Sequence, residues 1–205
     1  QLIKFNETMM ETNVIRLNRS KLNQHNDLLF VKENTNLSNN NYSSTIFPPP
    51  GSFLQATIDG ENAIIETVFK GLENINKKKL VCELFSGCGT ITLPLLSRGF
   101  TINAYEIDSQ SVEAVNFASK KQGHGNKVST HARNLKNNPL TSQELNKFNA
   151  IIIDPPRSGA KSQFLNIAHS KVPIVISISC NINTFVRDAK ILIQNNYELK
   201  WVQPI

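Results

Sequence analysis

From residue 80 onward the chain alternates short, almost uninterrupted apolar runs with stretches of helical periodicity, and this alternation limits the possible folds more than any other feature. The runs lie at 80–85, 101–107, 127–132, 150–153 and 174–179, with helical stretches at 109–121, 161–169 and 183–194. Strands that are apolar on both faces need cover on both faces, and a parallel sheet with right-handed helical crossovers provides it repeatedly. The prediction is therefore α/β: a doubly wound, mostly parallel, Rossmann-like sheet. Ahead of it Ala63, Ile64, Thr67, Val68 and Leu72 recur at helical spacing, with Asp59 as the expected cap and Gly71 near the end. Pro48, Pro49, Pro50 and Gly51 make a hard break, because three fixed φ angles continue neither a helix nor a central strand. Residues 1–47, rich in Asn and Ser, read as a short antiparallel β extension or the remnant of an upstream module, and residues 48–205 as the main domain.

Composition removes several classes. No apolar run approaches the roughly 18 residues of a membrane span. Cys82, Cys88 and Cys180 are an odd, scattered set, which argues against a disulfide framework and against a zinc or iron–sulfur knuckle. His25, His124, His131 and His169 have no second ligand at metal spacing, so no metal is expected. The chain begins at Gln1 without Met and shows no secretory stretch, so it is expected to be a piece of a longer cytoplasmic protein in a reducing compartment. The net charge of +6 is uneven: ten Lys and Arg against eleven Asp and Glu through Ser109, then twelve against five. Such asymmetry suits a face that meets phosphates, although a solvated basic surface has the same composition.

In such a sheet ligands bind beyond the carboxyl ends of the strands, so the residues just after each run carry the functional information. The first run leads into Phe85-Ser86-Gly87-Cys88-Gly89-Thr90, a Gly-x-Gly turn feeding a helix, where missing side chains let a ligand approach the backbone. The third Gly of a dinucleotide fingerprint is absent and Leu93-Pro94 follows, which favours a nucleoside on the loop; a plain tight turn is the competing reading. Glu106 ends the second run, where an acid can accept both hydroxyls of a ribose, and Asn134 after the third is placed to contact an adenine edge. After the fourth run, Pro155 and Pro156 fix an extended rim segment that aims Asp154 into the cleft. After the fifth comes Ser179-Cys180-Asn181, a thiol just outside its strand and ahead of a helix, where exposure and activation are expected; Cys82, inside its strand, is expected to be inert core.

Phe53-Leu54-Gln55-Ala56-Thr57, the 83–90 turn, Glu106, residues 154–159 and Ser179-Cys180-Asn181 together resemble the RNA uracil-5-methyltransferase family of bacterial rRNA and tRNA enzymes, over Pro48 to Ile205. The resemblance implies a methyltransferase domain with S-adenosyl-L-methionine as cofactor. Gln55, Phe85, the Gly87 loop, Glu106 and Asn134 would surround it, with Asp154 beside it near the reaction centre and Cys180 as the nucleophile. It implies RNA, rRNA or tRNA, as the partner, with the target uridine splayed out of its stack. Lys120, Lys121, Arg133, Lys136 and Arg157 are expected to form a basic rim for it. A monomer without membrane attachment, in the cytoplasm, is expected. Thr57 stands where the family commonly has Asn, and Ile182 where it usually has Pro. The sequence ends at Gln203-Pro204-Ile205, before the family's His-x-Glu general-base segment, so a C-terminal truncation is expected. Two other readings stay open. Amino methylation of a nucleic-acid base also uses Pro-Pro after a fourth strand but needs no thiol, and a non-catalytic or truncated homologue would bind S-adenosylmethionine or RNA without turnover.

Overall fold

The computed structural model describes residues 44–205. Helix α1 (Ile58–Gly71) precedes an alternation of β1 (Leu80–Leu84), α2 (Thr92–Ser97), β2 (Thr101–Glu106), α3 (Ser109–Lys121), β3 (Val128–Ala132), α4 (Ser142–Leu145), β4 (Ala150–Ile153), α5 (Lys161–Ala168), β5 (Val175–Ser177) and α6 (Ile182–Ile193). The strands pair in the order β3-β2-β1-β4-β5, and every pairing is parallel. The crossovers step one way from β1 to β3 and the other way from β4 to β5, which puts the switch point, and so the crevice, between β1 and β4. In that register Leu84 lies opposite both Tyr105 and Ile153, so the turns after β1, β2 and β4 open at one edge.

Strand alternation divides the core into two layers. Val81, Ile102, Ala104, Ala150 and Ile152 face a cluster with Val68 of α1, Leu93 and Leu96 of α2 and Ala118 of α3. Cys82, Leu84, Tyr105, Ile151 and Ile153 face the other, with Leu145 of α4, Phe164 and Ile167 of α5 and Leu192 of α6. Burying a Leu, Ile or Phe contributes about 1.5–3 kcal/mol, so these two layers carry most of the fold's stability.

The doubly wound parallel sheet matches the prediction, and its differences are local. β1 stops one residue early because Phe85 takes φ 63°, which no strand continues. β5 is shorter at both ends than the apolar run that marks it. The cap of α1 is Thr57 rather than Asp59: Thr57 is extended and its Oγ1 accepts from the Gly60 N–H, leaving Asp59 in the first turn. The expected antiparallel extension falls almost wholly on residues outside those described. Just ahead of Pro48, Ile46 and Phe47 pack into the first core layer, and Thr45 exchanges two hydrogen bonds with the Gln122 side chain.

Candidate functional site

The turn after β1 is tied to the end of β2 by backbone bonds. The Phe85 and Ser86 N–H groups both donate to the Tyr105 carbonyl, at 2.9 and 3.1 Å. The Gly87 N–H donates to Glu106 Oε2 at 3.0 Å, while Glu106 Oε1 accepts from the N–H groups of Ile107 and Asp108 at 2.7 and 3.1 Å. The carboxylate is thereby oriented before any ligand arrives. About one of its four acceptor sites is left, so it takes both hydroxyls of a ribose only where a backbone bond is shared or gives way. Gly87, at φ 52°, has nothing within 4 Å of where a Cβ would stand, so the backbone there faces open space. Gly89 is required for a different reason: a Cβ would sit 2.8 Å from Val115 Cγ2, so α3 could not pack as it does.

Carboxyl groups gather behind this turn. Glu83 is 2% exposed and accepts from the Thr92 hydroxyl at 2.6 Å. Burial raises its pKa to about 8, the Thr92 bond works against that rise, and the neighbouring Asp154 and Glu106 add to it. Asp154, held at the end of β4 by its N–H to the Leu84 carbonyl, is raised by burial to about 6. Two carboxyls with raised pKa values, beside a third, form a site where a bound cation relieves an electrostatic cost.

Cys180 is exposed, whereas Cys82 and Cys88 are buried. Burial and the neighbouring Glu83 push the Cys82 thiol well up, as an inert core thiol requires. The Cys180 turn is bracketed by Ser179, whose hydroxyl donates to the Asn181 carbonyl and accepts from its N–H. Side chains at the start of α6 then reach across to the segment after β4. Asn181 Nδ2 and the Thr184 hydroxyl donate to the Arg157 carbonyl, each at 3.2 Å. Arg187 Nη2 donates to the Ser158 carbonyl, and the buried Asp188 accepts from the Ala160 N–H at 2.9 Å. The thiol turn and the Asp154 turn are thus one stitched unit.

The remaining residues expected at the site are placed unevenly. Gln55 is half-buried beside Phe53, which is 79% exposed. Asn134 turns its Oδ1 onto its own loop, accepting from the Lys136 and Asn137 N–H groups, so only its amide nitrogen is available to an adenine. The basic rim is thinner than expected. Arg133 is paired with Glu144 at 2.6 Å and donates to the Asn138 and Pro139 carbonyls, closing its own loop. Lys120 and Lys121 end α3, at the opposite end of the sheet from the crevice. Lys136 and Arg157 remain exposed on the rim.

Sequence reasoning assigned no role to Thr92, Ile107, Thr184 or Asp188. Ile107 carried a usable signal, an apolar residue directly after the strand-end acid, and it is 60% exposed there. An Asp inside an amphipathic helix gives none, since its burial depends on where the α5 start lies.

The tRNA (uracil-5-)-methyltransferase family model matches residues 3–198. The chain is 39% identical over 163 residues to an uncharacterized RNA methyltransferase of Mesorhizobium japonicum, covering 80% of this chain and 39% of that protein. It is 30% identical to the 23S rRNA (uracil(1939)-C(5))-methyltransferase RlmD of Aliivibrio salmonicida, covering 75% of this chain and 35% of the relative. The chain therefore spans well under half the length of these relatives. Among solved structures, the Pyrococcus abyssi tRNA (uracil-54, C5)-methyltransferase in complex with S-adenosyl-L-homocysteine superposes with a TM-score of 0.65 at 21% identity, over 80% of this chain and 38% of that one, a likeness of fold.

Proposed function

The chain belongs to the tRNA (uracil-5-)-methyltransferase family, and from that premise we propose that it carries the catalytic domain of an RNA uracil-5-methyltransferase that works through a covalent Cys180–uracil adduct. The observation that carries the proposal is the pairing of an exposed thiol with a half-buried carboxyl on two turns tied by four side-chain bonds. Carbon 5 of uracil is a poor nucleophile. Cys180 as thiolate would add to carbon 6, leaving an enolate whose carbon 5 can attack an electrophilic methyl group. The carbon 5 proton must then leave to a base before the thiolate is expelled.

The residues around the crevice fit S-adenosyl-L-methionine. The open space over Gly87 would accommodate its nucleoside, the oriented Glu106 would take a ribose hydroxyl, and exposed Ile107 offers an apolar platform for the adenine. Gln55, Phe85 and Asn134 would close the sides, and the raised carboxyl of Asp154 suits a neighbouring positive sulfonium. Bound there, the cofactor would supply the methyl group as an electrophile. Asp154 would orient the reacting groups, and Cys180 would hold the ring until carbon 5 has reacted.

The partner proposed is rRNA or tRNA presenting a uridine splayed from its stack, and the protein is proposed to act as a cytoplasmic monomer. No helix among the described residues is long and apolar enough to cross a membrane. The test is release of tritium from RNA labelled at carbon 5 of uridine, incubated with the protein and S-adenosylmethionine. Cofactor-dependent release is expected. Methylation of the RNA on an amino group, with tritium retained, contradicts the assignment.

A further inference from the structure

The positive charge of the described residues gathers at the end of the sheet opposite the crevice. Connections leading into strands run along that end, and they carry Lys77, Lys78 and Lys79 before β1, Lys127 before β3, Lys147 before β4 and Lys171 before β5. All six are exposed except Lys127, which is half-buried. Helices α1, α3 and α6 also place lysines in their last turns there. Glu73 is the one acid among the connecting residues 72–79, 98–100, 122–127, 146–149 and 169–174. The crevice end is different: Arg133, Lys136, Arg157 and Lys161 stand against Glu106, Asp108 and Asp154, and Arg133 is already paired with Glu144.

The helix macrodipole accounts for lysines in last turns, worth about 0.3–1 kcal/mol each, but not for those in the connections. Surfaces normally intersperse both signs, since a one-sign field repels itself. The ion pairs between described residues, Arg133–Glu144, Arg187–Asp188 and Lys200–Glu198, use none of the six connecting lysines. An uncompensated field of this kind suits a polyanion. The five strands, about 4.8 Å apart, make the surface roughly 20 Å across, and strands of this length set it roughly 15 Å from the crevice edge.

We propose that this end is a second RNA-binding surface, which grips the phosphates of a double-helical segment while the crevice holds the reacting nucleotide. The proposal rests on the RNA methyltransferase reading. Duplex is favoured over single strands because single-strand sites interleave cations with aromatic platforms for the bases. None of the exposed large hydrophobic side chains lies in these connections, and Trp201, under Lys70 at 5.4 Å, sits at the flank on the last turn of α1. The absence of exposed apolar side chains among the six connecting lysines also disfavours a membrane surface, where aromatic and aliphatic groups insert beside the lysines. Double-helical RNA is recognised through backbone and shape, which asks only for placed charge.

The experiment combines Lys78→Ala, Lys79→Ala, Lys147→Ala and Lys171→Ala in one protein and measures binding to two RNAs across a salt series. One is a stem-loop with a long duplex stem and a uridine-bearing loop; the other is the loop alone as an oligonucleotide. The slope of log affinity against log salt for the stem-loop should fall by about 3.6, roughly 0.9 for each of the four duplex phosphates that a lysine no longer neutralises, with affinity down at least about tenfold. Loop binding should stay within about twofold of the parent. An unchanged stem-loop slope, an equal loss on both RNAs, or a parent that binds phosphatidylserine vesicles but not the stem-loop overturns the proposal. Calorimetry with S-adenosylmethionine and tritium release report separately on the crevice. If the parent shows neither while the stem-loop effect appears, the surface stands and the methyltransferase reading falls.

Discussion

Glu83 lies beneath the turn after β1 with the Thr92 hydroxyl as its partner, and burial holds its pKa at about 8 against an ordinary 4.5. Between those values the folded protein binds a proton that the unfolded chain has released, so stability is full below about pH 4.5 and falls as pH rises through about 8. Asp154, raised to about 6, adds a contribution of the same sign over a lower window. Glu83→Gln keeps an acceptor for Thr92 and removes the titration, so its urea midpoint should change much less than the parent's from about pH 5 to 8. Parallel profiles for the two proteins contradict this account of Glu83. Asp154 makes a second prediction. A sulfonium beside it favours the carboxylate, so affinity for S-adenosylmethionine relative to S-adenosylhomocysteine should rise from about pH 5 to 7, by about tenfold for each pKa unit the cation draws Asp154 down. Calorimetry at three pH values checks it, and a ratio independent of pH would place the cation elsewhere.

At the scale of elements, α6 both presents the thiol turn and holds the turn after β4. Asp188→Ala leaves the Ala160 N–H, at the start of α5, without its side-chain acceptor, a loss of about 0.5–2 kcal/mol by the usual cost of a missing cap. Denaturant unfolding measures that loss. If the stitched unit positions Cys180, uridine addition should slow more than cofactor affinity weakens; equal effects on both would reduce Asp188 to a stability role. Gly89→Ala should destabilise by about 1–3 kcal/mol, since φ 92° is strained for alanine and the new Cβ meets Val115. Elements were legible where periodicity was long: α3 lies where its spacing predicts, from Ser109 to Lys121. Shorter signals failed for physical reasons. α4 spans four residues, too few for a helical period, and its capping box of Thr141 and Glu144 is its only sequence mark. The last residue of the first run, Phe85, is apolar like its neighbours, but a positive φ turns it out of the strand.

Across the whole molecule, order along the chain revealed the sheet because each crossover must cover the strands it joins. The same order misplaced the charge. Summing it over the two halves of the sequence suggested a basic rim, yet successive residues of a doubly wound fold pass from one end of the sheet to the other within each crossover. Lys120 and Lys121 therefore stand far from Arg157, and the crevice itself is carboxyl-rich. The thiol was legible for the opposite reason, since the end of a strand fixes which edge a residue reaches. Cys180 as nucleophile is the central claim, and 5-fluorouridine RNA tests it most directly, because fluorine at carbon 5 cannot leave as a proton and the adduct stalls. With S-adenosylmethionine present, the parent should form a covalent protein–RNA complex that survives denaturation and maps by mass spectrometry to Cys180, and Cys180→Ala should form none. An adduct on another residue, or uridine methylation by Cys180→Ala at the parental rate, would contradict the account.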